Sequence, residues 1–121
     1  MVMSRSEASF LRERERAGGW PDEEIRHTLE DQEALFARSA GDAYYLEVDA
    51  MFHVNWTDAP VLSPLVRWTG LAGPIDPYRG FALVNAYTVA FFDRYLKGAQ
   101  QTLLQSPSLD WPEVRLRSRA R

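Results

Sequence analysis

Tyr44-Tyr45-Leu46-Glu47-Val48-Asp49-Ala50-Met51-Phe52-His53 is the stretch on which the fold turns. Tyr44, Leu46 and Val48 alternate with polar or amphipathic positions, the period of a pleated strand with one apolar face. The strand runs out at Asp49-Ala50 and delivers a histidine onto the loop that follows. Next come Val54-Asn55-Trp56-Thr57-Asp58, a loop broken by Pro60 and Pro64, and then a long apolar helix. An imidazole at the mouth of a strand-to-loop turn has the freedom that a proton carrier needs, with one nitrogen toward a nucleophile and the other held by a carboxylate. A lone histidine beside aromatic residues fits a hydrogen-bonded structural role as well, and the residues by themselves leave both open.

Upstream, Met1-Val2-Met3 is a short apolar run that reads as a second strand. Ser4-Arg5-Ser6-Glu7 fits a capping box, which predicts a helix from Arg5 to about Ala17, stopped by Gly18-Gly19. Trp20-Pro21-Asp22 restarts the chain with Asp22 placed to cap a second helix. Ile25, Leu29, Leu35 and Phe36 share one face of it, and Gly41 ends it. Downstream, residues 57–73 read as loop with one helical turn near Pro64 to Trp68. Asp76 as cap, Pro77 at the first helical position and Gly98 past the end then frame a helix of about 20 residues. Phe81, Leu83, Val84, Tyr87, Val89, Phe91, Phe92, Tyr95 and Leu96 wrap more than half of its circumference. Burial on more than one side follows, with Phe81, Phe92 and Leu96 expected toward the strands. Leu103-Leu104 continue the packing, and residues 107–121 are expected to be an extended tail.

Strand, helices, strand and long helix make a βαβα piece of the α/β class, with two parallel strands joined by a helical crossover. Two strands alone leave a sheet edge unpaired, so the single domain over residues 1–121 reads as incomplete. Pairing through the open edge, with a second copy or with another chain, is an expected consequence.

At 121 residues, 45% hydrophobic and 26% charged, with a net charge of -3, the composition is that of one ordinary globular domain and asks for no nucleic acid. Arg12-Glu13-Arg14-Glu15-Arg16 interleaves both signs on a helix and reads as a solvated face, and the arginines from Arg115 to Arg121 as a terminal tail. Cysteine is absent, which excludes disulfides and thiolate metal sites. Met1 to Arg5 lacks the form of a signal peptide, and no run is long and apolar enough to span a bilayer, so the chain as written reads as cytoplasmic. His27, among Glu23, Glu24, Glu30 and Asp31, is expected in solvent; without a His-x-x-x-His spacing no metal site is implied. Asp58 reads as the start of a turn, and Asn55 and Trp56 as residues that shape the loop. No Gly-x-Ser-x-Gly occurs, and Ser4, Ser6, Ser63, Ser106 and Ser108 read as caps or loop residues.

Residues 48–58, followed by Gly73-Pro74-Ile75-Asp76 and Ala90-Phe91-Phe92-Asp93-Arg94-Tyr95-Leu96-Lys97-Gly98, resemble the C-terminal end of α/β-hydrolases such as the platelet-activating factor acetylhydrolases and their bacterial dienelactone-hydrolase-like relatives. In that family a strand leads into a His-x-x-Phe-Thr-Asp-like loop, a Gly-x-Ile-Asp turn and a final helix ending in Ala-Phe-Phe-x-x-Tyr-Leu. The likeness is strongest over residues 44–98, with Trp56 standing where the family usually has phenylalanine. It implies that His53 is the triad histidine of a hydrolase of small carboxylic esters that uses no cofactor. The family's order of serine, then acid, then histidine puts the nucleophile and the acid upstream of these residues. The resemblance thus implies the last part of a serine hydrolase, nearly inactive alone. A non-catalytic remnant docking through its strand edge, and a binding domain built on Trp56, Trp68, Tyr78 and Tyr87, are the rival expectations.

Overall fold

The structure, a computed structural model, describes residues 1–119. Strand β1 (Val2–Arg5) leads into helices α1 (Glu7–Ala17) and α2 (Asp22–Arg38), then strand β2 (Ala43–Val48). A 3-10 turn (His53–Trp56) and two four-residue helices, α3 (Ala59–Leu62) and α4 (Leu65–Trp68), precede α5 (Pro77–Lys97). A second 3-10 turn (Thr102–Leu104) and strand β3 (Val114–Arg119) follow. The sheet has the order β1-β2-β3, with β1 parallel and β3 antiparallel to β2. The parallel pair is the expected one. The third strand replaces the expected tail: Val114 and Leu116 point inward, while Arg115 pairs with Glu47 and Asp49 and Arg117 with Glu33. Ala120 and Arg121 lie outside the described residues.

The faces of β2 explain the layering. Tyr44, Leu46 and Val48 bury themselves against Leu83, Tyr87 and Ala90 of α5, joined by Met51, Ile75, Leu104 and Val114. On the opposite face Tyr45 meets Phe36 of α2 edge-on, ring centroids 5.9 Å apart. Helices therefore cover both faces, as a parallel strand pair requires.

Several boundaries move for local reasons. Ser4 belongs to β1, and the helix is capped by Ser6, whose hydroxyl accepts from the Ser9 amide at 3.1 Å. Pro21 holds the N-cap position of α2, and Asp22 is its first helical residue, so its charge complements the positive end of the helix dipole instead of capping. That helix stops at Arg38, short of Gly41, where the Ser39 hydroxyl donates to the Leu35 carbonyl. The framing of α5 holds: Asp76 accepts from the Arg79 amide at 3.0 Å, Pro77 opens the helix, and Gly98 closes it at φ 67°.

The orientation of α5 differs from the expectation. Gly80, Leu83, Tyr87 and Ala90 recur at helical spacing and face the sheet, and Phe81, Phe92 and Leu96 fall on the opposite side, Phe92 50% and Leu96 76% exposed. That buried face is filled by Leu83 and Tyr87, which pack with Tyr44, Leu46 and Val48 of β2. One face of the helix is buried among the described residues, and its second apolar stripe is open to solvent.

Candidate functional site

β2 ends at Val48, and the chain bends through Asp49 and Ala50 before His53 opens its 3-10 turn. Ala50 takes a left-handed φ of 63°, which a side chain disfavours, and its carbonyl accepts from the Ile75 amide at 3.1 Å. Asn55 secures the turn from inside. Its buried Oδ1 accepts from the Phe52 amide at 2.8 Å and the Gly73 amide at 2.7 Å. The residue expected to shape the loop thus stitches it to the loop that precedes α5. Gly73 is required there, because a Cβ would stand 2.3 Å from the Ala50 carbonyl oxygen.

The His53 side chain is exposed, beside a cleft of about 170 Å³ lined by Met3, Ser4, Arg5, Thr28 and Trp56 among others. Among the described residues its ring nitrogens have no hydrogen-bond partner. Its backbone amide is held, donating to both carboxylate oxygens of Glu13 at 3.2 Å. Glu13 is buried, which corrects its reading as part of a solvated face, and it is ion-paired with Arg5, equally buried. Burial weakens the hold of Arg5 on its proton, and Glu13 pulls the other way. Trp20 stands beside the imidazole with centroids 6.1 Å apart. A sequence signal for this pair existed: Ser6, Ser9, Phe10 and Glu13 share one helix face, and Phe10 is its large apolar member.

No carboxylate orients the His53 ring among the described residues. Burial pushes Asp49 up, but hydrogen bonds from Ser6 and Arg115 outweigh it and leave the carboxyl below its ordinary range. Asp58 sits at the start of α3, where its carbonyl accepts from Val61 and Leu62. Ser4 donates to the Arg5 carbonyl and Ser6 to Ser9 Oγ, Ser63, Ser106 and Ser108 lie in loops, and Ser118 is exposed on β3. His27 is exposed beside Glu23 and Glu30. Trp56, Trp68, Tyr78 and Tyr87 do not share one pocket: Trp56 and Trp68 line different clefts, Tyr78 is exposed and Tyr87 lies in the core. No group of three or more potential metal ligands occurs among the described residues, and no helix is long and apolar enough to cross a membrane.

The fold is of the α/β class, a mixed three-stranded sheet with helices, and it is esterase-like. That second statement rests on a ferulic acid esterase from Streptomyces cinnamoneus, solved at 2.4 Å, to which the chain is similar at a TM-score of 0.62 and 29% identity. The match covers 84% of this chain and 31% of that one, so the chain spans less than a third of the esterase's length. No family model and no curated protein matches the sequence.

Proposed function

We propose that these residues form the C-terminal part of a serine hydrolase of carboxylic esters, of the kind typified by platelet-activating factor acetylhydrolases and dienelactone-hydrolase-like enzymes, and that His53 is its triad histidine. The observation that carries this reading is an exposed imidazole with unpartnered ring nitrogens, held by its backbone just past the central strand of an esterase-like sheet. In the reaction, one nitrogen of His53 takes the proton of a serine hydroxyl as that oxygen attacks the ester carbonyl, then returns it to the departing alkoxide. The second half-reaction repeats the transfer with water. The serine, the oxyanion donors and the acid that orients the ring belong to a preceding segment. The small coverage of the neighbour is consistent with such a division.

The test begins with the reading frame upstream of Met1. A protein carrying that segment should hydrolyse a short-chain activated ester, and an ester of ferulic acid probes the chemistry named for the neighbour. His53→Ala should lower kcat by about three orders of magnitude with folding intact. Undiminished turnover in that variant would refute the assignment. Serine-reagent-sensitive turnover by residues 1–121 alone would refute the division of the site.

The open edge of β1 and the bare stripe on α5 favour a second reading, a non-catalytic interaction module. Under it, the chain self-associates or docks onto a partner, and light scattering with the ester assay separates the two.

A further inference from the structure

We propose that Glu13 is a positioning residue for His53, its carboxylate fixing the main chain from which the imidazole projects. The functional meaning rests on the hydrolase reading; the geometry does not.

Arg12, Glu15 and Arg16 of α1 are exposed, and Glu13 alone of the run is turned fully inward. Its side chain and that of Arg5 are each 6% exposed. An ion pair so deep is a poor source of stability, because desolvating both charges offsets their attraction, and apolar residues of similar size serve folding as well. The pair does something an apolar contact cannot: it presents a carboxylate of fixed orientation, and both of its oxygens accept the His53 amide.

The cation behind that carboxylate is itself clamped. The Arg5 guanidinium lies 3.8 Å from the centroid of Phe10 and 4.4 Å from that of Trp20, and the two rings meet edge-on at 5.4 Å. Trp20 gets there by a strained route, with φ of 76°, 74° and 53° at Gly18, Gly19 and Trp20. Left-handed backbone at a tryptophan persists only where its surroundings impose it. The same turn brings the indole beside the imidazole, tilted by 48°. β1, α1 and the turn after it therefore converge on one residue, holding its backbone through Glu13 and bordering its ring through Trp20.

Amide exchange and histidine NMR spectra of the 121-residue chain test this without any turnover. In the native sequence the His53 amide, although its residue is exposed, should exchange at least about tenfold more slowly than that of Val54, after correction for intrinsic rates. Two double variants then separate positioning from packing. Arg5→Met with Glu13→Leu keeps an apolar contact and removes the acceptor, and should free the His53 amide and narrow its ring signals. Arg5→Met with Glu13→Gln keeps an acceptor oxygen and should restore both. A His53 amide as labile as that of Val54 in the native chain would overturn the proposal, and so would indistinguishable His53 signals in the two double variants. Should a variant not fold, the native-chain exchange decides alone. A protected amide in a protein without ester turnover would count against the hydrolase reading only.

Discussion

Asn55→Ala isolates the joint that holds the histidine turn to the rest of the molecule. The side chain is buried, and its Oδ1 accepts from two main-chain amides, Phe52 at 2.8 Å and Gly73 at 2.7 Å. Both partners are donors, so the acceptor must be the oxygen. Alanine would leave both N–H groups without an acceptor. Each such group costs about 1–3 kcal/mol when buried, and partial relaxation of the loops brings the expected total to about 2–4 kcal/mol. Asn55→Asp keeps an acceptor oxygen and should lose less than half as much. Urea unfolding gives the difference from the shift in midpoint, provided the slope is unchanged. Gly73→Ala attacks the same joint from the other side, and the double variant should lose less than the sum of the two. A loss under about 1 kcal/mol for Asn55→Ala, with the Phe52 and Gly73 amides still slow to exchange, would show that the joint is held by something else.

Tyr87→Phe removes a buried hydroxyl that has no partner among the described residues, so the melting temperature should hold or rise, by the equivalent of up to about 1 kcal/mol; a clear fall would reveal a bond to that oxygen. Leu83→Ala should cost about 2–5 kcal/mol and Phe92→Ala less than about 1, because only the first faces the sheet; equal losses in chemical unfolding would mean that the bare stripe is covered. Hydrogen bonds from Arg79 hold the Glu113 carboxyl below its ordinary range. A carboxyl lowered by folding stabilises the native state fully above that range and loses the contribution as pH falls through the lowered value. Melting temperatures followed into acid should therefore decline less steeply for Glu113→Gln than for the native chain, and parallel curves would refute the linkage.

What could be read from the sequence follows from how local each signal is. The frame of α5 is written in three residues, Asp76, Pro77 and Gly98, and each acts on its own backbone. The parallel strand pair was legible because Tyr44, Leu46 and Val48 alternate within one short run. Which face of α5 meets the sheet was not legible, since both faces are apolar and the residues that cover one of them, Tyr44, Leu46 and Val48, lie far back in the chain. β3 is hard to read as a strand because its outward positions are arginines. Their neutralising partners, Glu33, Glu47 and Asp49, lie far back in the chain, so an alternating strand reads as a charged end. Glu13 was concealed by its neighbours, being one acid in an Arg-Glu alternation, and the helix face it shares with Phe10 was the signal against that reading. At the site, the place of His53 on the loop after β2 and the loop role of Asn55 were legible, and the contacts of Glu13 and Trp20 with His53 were not.

The register of the sheet also sets when the histidine acquires its geometry. β2 pairs with nothing near it in sequence: Val2 meets Tyr45 on one side, and Val114 meets Val48 on the other. Each ladder must close a long loop before its hydrogen bonds form, a topology that folds slowly. The Asp49 amide, the first link after β2, is tied to the Glu113 carbonyl at the threshold of β3. On the ribosome, then, a nascent chain that has reached α5 already contains His53 but lacks the antiparallel half of the strand that carries it. The strand that carries His53 completes its pairing only once β3, which reads as a charged tail, has emerged and zipped into place.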